Sequence, residues 1–183
     1  MDSDIQIVKG NALRPEQKQV IIHWNNLFFG NVSVSGSKEL APVHWRLILS
    51  ESGSILSQVA ITELDVDING ERLTVGSIGG LFTPTELQGK GYANHLMDRA
   101  EGFISTDLGY KIGILFCLPK FVPFYQKRNW TPVCIPVTLQ QKNGITTWGA
   151  EVMLFGISED SIKSVHVPRQ SNIQENKSQQ TNR

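Results

Sequence analysis

Gln88-Gly89-Lys90-Gly91-Tyr92-Ala93 is a glycine-bearing turn set just before a helical pattern, and its chemistry is that of an anion site. The first backbone N–H groups of a helix have no intrahelical partner, and the helix dipole favours negative charge beside them. Gly89 and Gly91 carry no Cβ and would let the main chain approach a phosphate closely. Two nucleotide-binding patterns fail here. A P-loop needs Lys and then Ser or Thr after its last glycine, whereas Gly91 is followed by Tyr92; the dinucleotide fingerprint needs a glycine where Asn94 stands. The pattern that fits is Gln/Arg-x-x-Gly-x-Gly/Ala, read as Gln88, Gly91 and Ala93.

Such a turn needs a strand leading in and a helix leading out. Val75–Leu81 reads as a buried strand interrupted by glycines and stopped by Pro84, with Gly79-Gly80 predicting a β-bulge or a close backbone approach. Tyr92, Leu96, Met97, Ala100, Phe103 and Ile104 share one helical face, which runs to about Asp107 with Gly109 as its stop. Upstream, Ile5–Val8 is a short strand and Pro15–Phe29 a helix whose apolar face carries Val20, Ile21, Trp24, Leu27 and Phe28. His23 lies beside that stripe and reads as structural. Residues 30–42 read as a mobile loop with Glu39 as its one acid. Trp45–Leu49 and Ile55–Thr62 are strands, and Asn69-Gly70 between alternating segments marks a tight hairpin, so 45–83 form an antiparallel meander. Downstream come a strand buried on both faces (Ile112–Leu118), a short helix (Pro119–Arg128), a strand from Trp130 to about Leu139, a turn at 140–144 and a closing strand, Trp148–Phe155. From Ser158 onward the chain is polar, which predicts a folded domain over 1–157 and a disordered tail over 158–183.

Composition bounds the class. A chain of 183 residues, 40% hydrophobic and 19% charged, suits one globular domain. Seventeen basic and seventeen acidic residues give no net field that would favour nucleic acid or a membrane surface. No apolar run approaches the ~20 residues of a membrane span, and the acidic start MDSDIQIVKG lacks the form of a signal peptide. Cys117 and Cys134 are too few for a disulfide framework and have no metal spacing. The expectation is a cytoplasmic protein with reduced thiols, no metal, and no nucleic-acid or membrane partner.

The loop at Gln88–Ala93 resembles the pyrophosphate loop of the GCN5-related N-acetyltransferase (GNAT) family. A second family feature is a strand followed by a short helix ending in F-Y-x-K-x-G-F, here Phe124-Tyr125-Gln126-Lys127-Arg128-Asn129-Trp130. Asn129 stands for the glycine, and Asn accepts positive φ better than most residues. Order and spacing match over roughly residues 5 to 156. The resemblance implies an α/β (α+β) GNAT fold, with a mixed, mostly antiparallel sheet of about 6–7 strands flanked by helices and splayed strands that bind acetyl-CoA. Within the family the chain is most similar to aminoglycoside 2′-N-acetyltransferases, through VGSIGGLFTPTELQGKGYANHLMDRAE, DLGY, FYQKRNWTPV and a long hairpin ending in the strand 149–157. One departure is that Gly79 stands where such enzymes carry a strand carboxylate.

The resemblance further implies the parts of an acetyl transfer from acetyl-CoA, the co-substrate, to the primary amine of a small molecule. Backbone N–H groups of Gly89, Lys90, Gly91, Tyr92 and Ala93 would grip the diphosphate, with Gln88 at the entrance and Lys90 adding charge. Leu81, Phe82 and Thr83 would pair with the pantetheine arm, and a free N–H near Phe82 or Thr83 would polarise the thioester carbonyl. Tyr125 would be the general acid for the departing thiolate. The base stays open among Glu86, His44 and Asp65, or backbone carbonyls acting through water, and Glu86 is carried with Tyr125 as a candidate catalytic residue. Cys117, in a buried strand, reads as core rather than as an acyl carrier. A polycationic acceptor would favour an acidic cleft, to which Glu39, Glu63, Asp65, Asp67 and Glu86 would contribute. A different amine, such as a peptide N-terminus or amino sugar, and a CoA-binding module without turnover remain alternatives. So do monomer and homodimer.

Overall fold

The computed structural model describes residues 4–29, 41–141 and 143–170. Within them the chain forms strand β1 (Asp4–Lys9), helix α1 (Pro15–Phe29), β2 (Trp45–Glu51), β3 (Ser54–Ile68), β4 (Glu71–Phe82), α2 (Tyr92–Gly102), β5 (Gly113–Cys117), α3 (Val122–Gln126), β6 (Thr131–Pro132), β7 (Val137–Gln141), β8 (Gly144–Thr147), β9 (Glu151–Phe155) and β10 (Val165–Val167). All the described strands join one mixed sheet, along the path β6-β9-β5-β4-β3-β10-β7-β8, with β2 also on β3 and β1 on β2. Only β4–β5 and β7–β10 pair in parallel. The fold class is the expected one, with more strands than the six or seven anticipated.

Local chemistry accounts for the meander. Asn69 and Gly70 both take positive φ (56° and 83°), which matches the twist of the strands they join. Two rows of side chains then divide the sheet. On one face Ile61 stands opposite Ile78, and Ile78 opposite Leu115; α2 covers them with Leu96, Met97 and Ala100. On the other face Gln6, Ile48, Gln58 and Phe82 stand in register, and α1 touches both ends of this row. Gln17 of α1 donates to Gln6 (3.2 Å), and the Trp24 ring packs on Phe82 with centroids 5.1 Å apart. The α1 stripe is buried at Ile21 and Trp24, but Leu27, expected on it, is 58% exposed.

Two expectations are corrected. The strand expected from Trp130 to Leu139 is broken into β6 and β7, because Pro132 and Pro136 have no N–H to continue a ladder. The order also runs past Ile157, where the polar tail was expected to begin. A 3-10 turn at Glu159–Ser161 leads into β10, which inserts between β3 and β7. Val165 and Val167 are buried, and the Asn69 side chain at the hairpin tip clamps the approach, accepting from the N–H groups of Lys163 (2.7 Å) and Ser164 (3.1 Å). Gln170 then exchanges two hydrogen bonds with the Asp65 backbone. The expectations for the loop at 30–40 and the tail at 171–183 lie outside the described residues.

Candidate active site

The ladder between β4 and β5 covers Gly76–Gly113, Ser77–Ile114 and Ile78–Leu115 and then stops, while β4 runs on to Phe82 and β5 to Cys117. This is the splay that the family resemblance implied. The bulge anticipated at Gly79-Gly80 lies at the same level: β4 takes three steps from Gly79 to Phe82 against two on β3, with Gly80 at φ 58°. The buried Gln58 amide donates to the Gly80 carbonyl and holds the bulge. Just beyond, the buried Ser57 hydroxyl donates to the Phe82 carbonyl (2.8 Å) and lies 2.7 Å from the Thr83 hydroxyl. The Gln88 side chain reaches back to the Thr83 carbonyl (3.0 Å), tying the loop to the strand end. Gln88 is thus a brace for the loop as well as its entrance.

The loop itself enters α2 through Gly89 (φ 77°) and Gly91 (φ 85°), conformations that cost a residue with a Cβ. A Cβ at either would stand in open space, so the backbone angle rather than crowding selects glycine. Gly91 is the N-cap; no side chain caps the first turn of α2 and no acid stands in it. The N–H groups there are free of a competing side-chain carboxylate, which is the condition for binding an anion.

Tyr125 comes from α3. Asn129 takes the positive φ expected of it (62°), and Arg128 and Trp130 both return N–H bonds to the Tyr125 carbonyl. Arg128 and the Trp130 indole are anchored on Glu101 of α2 (2.8 Å each), so α3 is fixed against the helix that follows the loop. The Tyr125 ring is buried between Phe124 and Trp130. Burial first, then neighbouring Cys117, raise its pKa, with Arg128 opposing. Burial, then Glu151, push the Cys117 thiol up to about 11, so it is a neutral core group.

These parts meet in one cleft of about 890 Å³, the size of a ligand site. Leu81, Phe82, Thr83, Glu86, Gln88, Gly89, Gly91, Tyr92, Ala93 and Tyr125 all line it. Lys90 is exposed and outside the lining; Glu86 is an exposed rim residue in the 3-10 turn Thr85–Leu87. Neither His44 nor Asp65 lines it. His44 Nδ1 accepts from the Glu63 backbone (3.0 Å), and Asp65 accepts from Thr74 and Arg72. Glu63 is engaged by the Tyr110 hydroxyl (2.5 Å), so of the described acids expected to make an acidic cleft only Glu86 is there. Sequence reasoning missed a wall of the cleft: His23, Trp24 and Leu27 of α1, with Lys120, Phe121 and Phe124 before and within α3. The only signal for it was Leu27, an apolar residue on a stripe too wide for the core it had to cover. Among the described residues no cluster of His, Cys, Asp and Glu could hold a metal, and no helix is long and apolar enough to cross a membrane.

Comparison with known proteins agrees with this geometry. The family profile described as an acetyltransferase (GNAT) domain matches residues 14–133. Among solved structures, Escherichia coli ElaA is similar with a TM-score of 0.60 and 13% identity, over 84% of this chain and 98% of that one. An acyl-CoA N-acyltransferase from Pseudomonas aeruginosa has a TM-score of 0.58 and 13% identity, over 84% of this chain and 99% of its own. A GNAT family acetyltransferase from Brucella melitensis, in complex with acetyl-CoA, has a TM-score of 0.54 and 17% identity, covering 87% and 94%. At those identities the structures speak for the fold. The comparison with curated proteins finds no match. With the profile spanning the bulged strand, the glycine loop, α2 and the helix of Tyr125, the chain belongs to the GNAT acetyltransferase family and is an acyltransferase.

Proposed function

We propose that this acyltransferase moves the acetyl group of acetyl-CoA directly to the primary amine of a small acceptor, without an acyl-enzyme. The observation that carries this reading is a single cleft shared by the end of β4 beyond its ladder with β5, the N-terminus of α2 with no side-chain cap, and Tyr125. The N–H groups from Gly89 to Ala93 would hold the diphosphate. The end of β4, Leu81 to Thr83, would receive the pantetheine arm as an added strand, and a β4 N–H would polarise the thioester carbonyl. The neutral amine attacks that carbonyl, so a C–N bond forms and the C–S bond breaks. The amine's extra proton goes to a base and the departing sulfur gains one. Tyr125, held protonated by its burial, is a hydrogen-bond donor to that sulfur. Glu86 and His23, exposed groups on the cleft, are the candidates to take the amine's proton, directly or through water. The neutral, buried Cys117 argues against a thiolate nucleophile and hence against an acetyl-cysteine intermediate.

The resemblance in the sequence makes an aminoglycoside 2′-amine the first acceptor to assay. Release of CoA thiol from acetyl-CoA is followed with aminoglycosides bearing a 2′-amine, matched ones bearing a 2′-hydroxyl, and a panel of simple amines. Amine-dependent release is the expected result, and release confined to 2′-amines would establish the subfamily. No release with any amine would contradict the transfer reading.

A further inference from the structure

The row of residues crossing the sheet at Gly79 holds a charge that acetyl transfer itself does not use. Val8, Arg46, Ala60 and Gly79 stand opposite one another on β1, β2, β3 and β4. Val8, Arg46 and Ala60 lie two residues from Gln6, Ile48 and Gln58 and so share the face covered by α1, and Gly79, three residues from Phe82 across the bulge, keeps to that face as the partner of Ala60. The Arg46 guanidinium donates to Gln58 Oε1 (2.7 Å), and the Gln58 amide donates in turn to the Gly80 carbonyl in the bulge. Arg46 thus leans toward the splayed end of β4 through a fully buried amide. Across the sheet Ala60 stands between it and Gly79, and among the described residues a Cβ at Gly79 would meet nothing within 4 Å. The lane is a cation, a methyl group and an open floor.

Among the described residues Arg46 has no ion-pair partner. No described carboxylate bonds to it, and its Nε is buried without an acceptor among the described residues. Burial lowers its pKa, with no neighbouring charge among the causes. A guanidinium so placed is costly until an anion arrives, and its planar fork suits a carboxylate. On the far side of the splay, Phe116 lies on the same face as Ile114 and Ser77, and Trp148 packs on it at 4.6 Å between centroids. That gives the lane an aromatic wall.

We propose that the acceptor is a small amine bearing a carboxylate, of the amino-acid type, whose anion is received by Arg46 above Gly79 on the α1 side of β4. This rests on the acetyl-transfer reading above and names its substrate class. The anion then sits on the protein's cation, and the amine faces the thioester across the bulge. An acceptor of this kind also explains why Glu86 is the only acid among the described residues that line the cleft.

The test is the initial rate of CoA release with a panel of L-amino acids, phenylalanine first, each against its own amide. The amide's amine is the less basic and is more often neutral, so chemistry alone favours the amide. Wild-type protein is expected to prefer the acid by about tenfold to a hundredfold in kcat/KM. Arg46→Gln should abolish that preference. Gly79→Glu, which fits the open space and sets a fixed carboxylate beside Arg46, should suppress turnover of the acids while acetyl-CoA binding by calorimetry is retained. Equal use of acids and amides, or an acid preference that survives in both variants, would overturn the assignment and leave acetyl transfer standing. Absence of release with every amine would instead overturn the transfer reading and this inference with it.

Discussion

In the proposed transfer Tyr125 must be rigid and reactive at once. Its ring is fixed in the core by Phe124 and Trp130, while it also lines the cleft. Because burial raises its pKa above the usual ~10, the hydroxyl carries its proton at every working pH and is a donor, never a base. Tyr125→Phe keeps the ring and its packing. It should lower kcat by about a hundredfold or more, with the Kd for CoA, read by calorimetry, unchanged. The kcat–pH profile of the wild type should show no fall from ionisation of this tyrosine up to about pH 10; an alkaline fall absent from the Phe variant would contradict the protonated donor. The place of Tyr125 on the cleft was legible because its neighbours in the chain form a fixed pattern. His23 was not, since nothing in the spacing of α1 says which turn of the helix will overhang the end of β4. Arg46 reads in sequence as an ordinary strand cation, and only the register that sets it over Ala60 gives it meaning.

At the scale of elements, the strand–loop–helix unit does the positioning. Gly91 at φ 85° starts α2, so Gly91→Ala forces a Cβ into the left-handed region at a cost of about 1–2 kcal/mol. It should lower the melting temperature and weaken acetyl-CoA binding together. Gly102→Ala, in the same helix at ordinary angles with open space at its Cβ, should instead stabilise the protein by roughly 0.5–1 kcal/mol without affecting binding. Equal effects of the two substitutions would show that the loop conformation does not matter to the cofactor. The unit was legible in outline: Pro15–Phe29, the Asn69-Gly70 hairpin and the β4–loop–α2 succession are carried by local rules. The break between β6 and β7 was also written in Pro132 and Pro136, but alternating apolar residues around them masked it. The three-residue strand β10 carries only Val165 and Val167 in a polar run, too little signal without the groove between β3 and β7 that it fills.

For the whole molecule, β10 links two parts of the sheet that have no other ladder between them, the meander at β3 and the hairpin of β7 and β8. Burial of Val165 and Val167 contributes about 1.5–3 kcal/mol each, and Asn69 and Gln170 tie down both flanks. Truncation after Ile157 should therefore lower the urea midpoint markedly and loosen β7–β8, while α2, which packs on the other end of β3 at Leu56, Val59 and Ile61, and the glycine loop before it stay intact. An unchanged midpoint would mean that β10 adds no stability.

The account as a whole stands on one transfer. The most direct measurement is to incubate the protein with acetyl-CoA isotopically labelled in the acetyl group, together with the amine panel, and to follow the label by mass spectrometry. The prediction is label in an N-acetyl product of the acceptor, with an equal amount of free CoA and none retained on the protein. Label retained on the protein, or CoA released without any acetylated amine, would contradict direct acetyl transfer in this cleft.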